Sequence, residues 1–374
     1  MTRRLRAMRL VAACLRPDAG GTVGAALRGA CADWTAPIAF ANEQLLVPTL
    51  HATLHASLGA AGLRAELPAE VGEYLSHLYR ANAARNDAIR RQARHAVHAL
   101  NGAGIVPMLL KGGAALYLDY HPDPAARMFR DLDLLVPRLA LADAVGILRA
   151  LGYGVEYFTN GDFHAFADFT RPGDPCAIDL HFELIDQSYM LSAAEIRSRA
   201  RSLAVDGIRF LVPAPTDLVL HNILHQQIHY LGNFYRGALD LRQLYELSCL
   251  VRRYGSEIDW ESIERRAALH RIDTALHSYL YAAQSLLGVP WPLEARPSRR
   301  AALHYRRCLA QIAYPTLDRA MIPWGNLRAC FAWHRMAGLY GDGGPLAALL
   351  LRHAAQFVGK KKVGGAFQRL FRVR

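Results

Sequence analysis

Two aspartates separated by one residue, Asp131 and Asp133, sit inside the apolar run Leu132, Leu134, Leu135, Val136. On a strand, residues i and i+2 point to the same face, so the two carboxylates share a side while Leu132 and Leu134 take the other. Acids this close repel unless a proton or cation joins them, and a divalent cation held by oxygen ligands is the economical explanation. Upstream, Lys111, Gly112 and Gly113 follow a second apolar run, 105–110. Glycines there let a phosphate approach the backbone, so the stretch 108–136 reads as a nucleotide site. A third acid, Asp179, stands in Ala177-Ile178-Asp179-Leu180-His181, again a lone carboxylate among apolar neighbours. If its strand lies beside the first, three carboxylates converge, a donor set that suits Mg²⁺ or Mn²⁺.

The elements that position these residues follow from hydrophobic period. Residues 5–15, 38–58 and 68–100 carry apolar residues at three- and four-residue spacing and are expected to be helices, the last one long and ended by Asn101-Gly102-Ala103-Gly104. The period then changes. Short strands are expected at 105–110, 132–136, 153–158, 163–170 and 176–184, with the glycine turn and helices 114–120 and 139–151 between them. The turn at Arg171-Pro172-Gly173-Asp174-Pro175 makes 163–170 and 176–184 a hairpin, and another pair of strands flanks Asp206-Gly207. After Pro213 and Pro215 the helical period returns, with Thr216 as the expected N-cap of a helix to 230, then helices at 237–254, 258–270, 273–287 and from 299 onward. The chain therefore divides into an N-terminal helical region (1–103), a mixed core (104–213) and a C-terminal helical domain with a basic tail (214–374). The fold class is α+β, a small mixed sheet flanked by helical regions.

Other candidates carry weaker signals. His221, His225 and His229 recur every four residues, a spacing that can ligate metal, yet no acidic motif of the HExxH kind accompanies them, and they read as histidines lining a core or cleft. His181 follows Asp179 by two residues and shares its face, as a supporting partner of the acids or a proton acceptor. Arg236 and Asp240, one helical turn apart, read as a surface pair. Neither a Gly-x-Ser-x-Gly elbow nor a phosphate-binding loop with Lys after its glycines occurs.

Composition sets the limits. The 374 residues, 52% hydrophobic and 20% charged, suffice for two or three domains with real cores. A formal charge of +12 favours anionic partners without choosing among nucleotide, nucleic acid and membrane headgroup. Cys14, Cys31, Cys176, Cys249, Cys308 and Cys330 form no CxxC pair and no zinc spacing, as befits free thiols in a reducing compartment. The start, with basic residues before Val11-Ala12-Ala13-Cys14, is similar to a lipoprotein signal, but its apolar run is too short, and the expected location is cytoplasmic. The acid-free end, 360–374, reads as a solvated tail.

Taken together, Leu110-Lys111-Gly112-Gly113, Tyr120-His121-Pro122-Asp123-Pro124 with Arg127, Asp131 to Val136, and Ile178-Asp179-Leu180-His181 resemble the uncharacterised bacterial nucleotidyltransferases of the DNA polymerase β-like superfamily. The resemblance covers 104–184 and implies a small mixed sheet, Mg²⁺ or Mn²⁺ as cofactor, and transfer of a nucleoside monophosphate from an NTP, with loss of pyrophosphate, to an acceptor that could be a small molecule, peptide, protein or RNA. It also implies roles: Asp131, Asp133 and Asp179 as metal ligands and catalytic acids, Lys111, Gly112, Gly113 and Arg127 as nucleotide-binding residues, and His181 behind them. Arg130 departs from the pattern, standing where relatives tend to carry a small residue; a cation there folds outward or modifies phosphate binding. Two rival readings are a non-catalytic accessory protein that binds nucleotide or RNA, and a glycosyltransferase using Asp-Leu-Asp to hold Mn²⁺ and a sugar nucleotide. The second leaves Lys111-Gly112-Gly113 and Asp179 unexplained.

Overall fold

A computed structural model describes residues 1–16, 27, 33–158, 165–294, 296–340 and 346–359. Seven strands form one mixed sheet: β1 (Met108–Leu109), β2 (Asp131–Leu135), β3 (Gly154–Phe158), β4 (Ala165–Thr170), β5 (Ala177–His181), β6 (Arg201–Val205) and β7 (Ile208–Val212), in the spatial order β3-β4-β5-β2-β1-β7-β6. Both expected hairpins form: β4 pairs antiparallel with β5, and β6 with β7 across Asp206-Gly207. β2 runs parallel to β5 and antiparallel to β1, at the centre of the sheet. From Leu132 to Leu135 it is buried on both faces, which is why its sequence is so apolar.

Helices precede and follow this unit. The expected helix 38–58 is two, Thr35–Glu43 and Val47–Glu66, the second kinked at Gly59, whose φ of 67° leaves the helical region. The long helix Ala69–Gly102 lies along the sheet and carries a polar stripe inside the protein. Asn82 donates to the carbonyls of Ala125 (2.7 Å) and Arg127 (3.0 Å), and Asn86 to those of Pro124 (3.0 Å) and Arg127 (2.8 Å). Arg85 reaches the carbonyls of Phe129 (2.7 Å) and Pro175 (3.1 Å), and Gln92 that of Cys176 (2.8 Å). One helix face thus satisfies the irregular backbone leading into β2 and the backbone before β5, where no ladder partner exists.

C-terminal to the sheet, the helix Pro215–Gln227 starts two residues earlier than expected, with Ala214 at the N-cap. Thr216 instead accepts from the Asp259 amide at 2.9 Å, because Pro215 already fixes the first helical φ. The expected helix 237–254 begins only at Leu241: Gly237 is left-handed, closing the short helix Asn233–Arg236, and Asp240 caps Leu241–Tyr254 by accepting from the Gln243 amide. Arg236 donates to Asn326 at 2.6 Å. Further helices run Trp260–Leu269, Asp273–Leu287, Arg299–Ala313, Pro315–Cys330, Trp333–Tyr340 and Leu346–Gly359. A contiguous apolar core links residues from Ala7 through the sheet to Leu293. No described helix is long and apolar enough to cross a membrane. Cys31 and the tail 360–374 lie outside the described residues; the other five cysteines are free thiols.

Candidate metal and nucleotide site

The sheet register decides which acids meet. In the parallel β2–β5 ladder Asp133 stands opposite Asp179, and Asp131 opposite Ala177. Because side chains alternate, Asp131, Asp133, Asp179 and His181 all point to one face. Single ligand atoms of Asp133, Asp179 and His181 lie within 4.8 Å of one another, the one such group among the described residues. Asp131, at the start of β2, lies outside that tight group but within its electrostatic reach.

His181 is fully buried, and its Nε2 sits 3.0 Å from Asp133 Oδ1 and 2.8 Å from Asp179 Oδ2. Lys111 Nζ reaches the same Asp133 Oδ1 at 2.6 Å. Burial alone would raise the Asp133 pKa, but Lys111 and His181 outweigh it and hold the carboxyl well below the usual range. Burial likewise opposes a charge on His181, yet Asp179 and Asp133 hold its pKa up at about 9. Lys111 is pulled the same way: desolvation works against its ammonium, and Asp133, Asp131 and Asp179 together raise its pKa. For Asp131 burial and the neighbouring Asp133 push upward, against Lys111. The cluster therefore balances acids with two resident cations, and two carboxylate acceptors remain: among the described residues, Asp133 Oδ2 and Asp179 Oδ1 are buried without a hydrogen-bond partner. Orphaned carboxylate oxygens from adjacent strands fit an oxygen-preferring divalent cation.

The Lys111-Gly112-Gly113 stretch is not a free turn. It opens the short helix Lys111–Ala115, and Lys111 itself has a left-handed φ of 43°. The need for glycine is set by packing: a Cβ on Gly112 would lie 2.7 Å from both Arg127 Nη1 and the Phe129 ring, and one on Gly113 would press on Leu132 and the Asp133 carbonyl. Arg127 is thereby held against the start of this helix. Its Nε donates to both oxygens of Glu246, at 3.2 and 3.0 Å, and its guanidinium lies over Phe129. Glu246, from the helix Leu241–Tyr254, also accepts from Tyr120. The pair is largely buried, so the C-terminal helices are tied to the site through a charge pair that water screens little. Arg130 faces solvent, one of the two outcomes expected for it.

Several contributors escaped the sequence reading. Asp168 on β4 stands directly opposite Asp179, forming a row of three carboxylates, Asp133, Asp179 and Asp168, across three strands. Burial, Asp179 and Asp131 raise its pKa to about 6. A hairpin centred between Gly173 and Asp174 already pairs 168 with 179, so the signal was present in the turn. Glu246 and Arg242, one helical turn apart, carried no such signal. Arg242 has no hydrogen bond or ion pair among the described residues, and burial lowers its pKa, as do Arg127 and Arg130, against Asp240 and Glu246. The histidine row does border the site. His221 is buried, its pKa lowered to about 3 by burial and by Lys111, and its ring meets His225 (5.8 Å between centroids), which stacks on His229 (5.0 Å).

Residues 30–288, more than half of the chain, match a family whose description is "uncharacterised nucleotidyltransferase". No curated protein and no solved structure matches the chain.

Proposed function

The chain belongs to the uncharacterised nucleotidyltransferase family, and from that premise we propose that it transfers a nucleoside monophosphate from an NTP to a hydroxyl-bearing acceptor, releasing pyrophosphate, with Mg²⁺ or Mn²⁺ at the acid cluster. The observation that carries the reading is the register of Asp133 against Asp179, with one partnerless buried oxygen on each. When bound there, a divalent cation supplies charge neutralisation to the phosphates and lowers the pKa of a hydroxyl it coordinates. Asp133 and Asp179 hold it, with Asp131 at the strand entrance as a further ligand. Lys111 and Arg127 balance phosphate charge, Arg127 kept rigid by Glu246 and by Phe129. Gly112 and Gly113 let Arg127, Phe129 and Leu132 pack against the start of the helix Lys111–Ala115, which keeps the Arg127 guanidinium in place. Preorganised cations of this kind stabilise the transition state because they need not reorganise as charge shifts to the leaving pyrophosphate.

The acceptor side is assigned to the helices. A cavity of about 470 Å³ lined by Thr49, His51, Tyr79, His121, Asp123 and Tyr245 adjoins the Tyr120–Arg127 segment from the N-terminal side.

Incubation with each α-labelled NTP, Mg²⁺ or Mn²⁺, and a panel of small-molecule, peptide and RNA acceptors tests the reading. Label on an acceptor, with stoichiometric pyrophosphate, is the expected result. Thermal protection by a sugar nucleotide and not by any NTP would move the donor to the glycosyltransferase class; protection by NTP without transfer to any acceptor would favour an accessory role.

A further inference from the structure

The cluster gives its four carboxylate oxygens unequal positions. Asp133 Oδ1 and Asp179 Oδ2 both lie within hydrogen-bond range of a single atom, His181 Nε2, at 3.0 and 2.8 Å. Asp133 Oδ1 also accepts from Lys111 at 2.6 Å. The other oxygen of each acid, Asp133 Oδ2 and Asp179 Oδ1, is buried and has no hydrogen-bond partner among the described residues. A nitrogen lone pair aimed between two carboxylates would be repelled by both, so this geometry requires an N–H on Nε2 shared between them. A nitrogen that carries its proton toward the acids has no lone pair left there for a metal.

We infer that His181 is a positioning residue and not a metal ligand: its Nε2–H clips Asp133 to Asp179 across the β2–β5 ladder and turns their remaining oxygens toward a divalent cation bound through oxygen alone. The inference deepens the proposed function and rests on its cation, but not on nucleotidyl transfer. Its structural cause lies in the register. His181 is two residues beyond Asp179 on the same face, opposite Leu135 in the ladder, so the ring leans back over the Asp133–Asp179 rung from two rungs away. Complete burial allows no water to take the place of that N–H. The clip also separates duties, since Lys111 and His181 occupy one oxygen of each acid and leave the other free. The cation and the two resident cations can then coexist, and Lys111 need not leave for the metal to enter.

The test uses the full chain with Mn²⁺ alone, without nucleotide. Pulsed electron paramagnetic resonance of the wild-type complex is expected to show no coupling to a directly bound nitrogen. Such a coupling, lost in His181→Gln, overturns the inference. Calorimetric Mn²⁺ titration gives the second readout: His181→Ala is expected to weaken binding about 10- to 100-fold, the range for losing an outer partner of a metal ligand. His181→Gln, which restores an N–H donor, is expected to recover most of that loss. Equal affinity in all three proteins, or no Mn²⁺ binding by the wild type, overturns it. If His181→Ala fails to fold, the wild-type spectrum still decides. A protein that binds Mn²⁺ through oxygen alone but moves no nucleotide upholds the clip and refutes the proposed function.

Discussion

Asp133 and Asp179 face each other across a parallel ladder, 46 residues apart in sequence and on the same rung in space. Neither is at an exposed strand end; Asp133 is 1% exposed at the centre of the sheet. A carboxylate at such a depth is costly unless compensated, and the compensation comes from Lys111 and His181.

Asp133→Asn and Asp179→Asn remove one charge each while keeping shape. Transfer of label from NTP is expected to fall by at least about a hundredfold in each, the scale for losing a preorganised electrostatic contact. The double variant is expected to lose little more than either single one, because the two residues act on one group. Single-turnover assays beside far-ultraviolet circular dichroism check both statements; an active Asp133→Asn protein would remove the acid cluster from the mechanism.

Glu246→Gln leaves the buried Arg127 guanidinium without its counter-charge. The expected loss of stability is about 3 kcal/mol, as for breaking a buried pair from one side. Burial raises the Glu246 pKa, but Arg127 and His121 outweigh it, so the folded value lies below the unfolded one. The pair's contribution is therefore present above the unfolded pKa and disappears as pH falls through the folded one. Urea unfolding of wild type and variant across acidic pH is expected to converge as the carboxyl protonates.

Arg242 stands one helical turn before Glu246, close to Arg127 and Arg130 and, among the described residues, without an ion-pair partner of its own. Under the proposed function, arginines gathered there would meet an anionic substrate. Arg242→Gln is expected to weaken metal–NTP binding about tenfold, the value of one charge-assisted hydrogen bond, and to leave nucleoside binding unchanged. Titration calorimetry with NTP, NMP and nucleoside separates the outcomes, and equal losses for all of them would argue for a packing role.

His334 supplies a pH signature of its own. Its ring is bracketed by the Tyr235 hydroxyl at 2.9 Å and the Tyr189 hydroxyl at 3.3 Å, and burial, with Arg335 and His270 nearby, lowers its pKa to about 3. The unfolded chain takes up this proton near the ordinary histidine value while the folded one refuses it. Stability is then expected to fall as pH drops below about 6.5, by up to about 1.4 kcal/mol per pH unit for this group. His334→Gln should flatten that slope in urea titrations at pH 4–6.5; an unchanged slope would assign it to His221 and His304, which burial shifts the same way.

Local patterns in the sequence determined the sheet's hairpins and the helical regions and singled out Lys111, Asp131, Asp133 and Asp179 as candidates, because turn chemistry and strand alternation are properties of neighbours along the chain. Alternation also set the shared face of Asp179 and His181. What the tertiary structure alone decided was register and long-range partnership: that Asp133 and not Asp131 stands opposite Asp179, that His181 bridges the two, and that Glu246, more than a hundred residues away, holds Arg127. Parallel pairing of β2 with β5 is made through separate connections, and no short turn fixes its offset. The glycines tell the same story. Gly112 looked like an opening for phosphate, and the fold shows the space beside it taken by Arg127 and Phe129, a contact set by packing between segments.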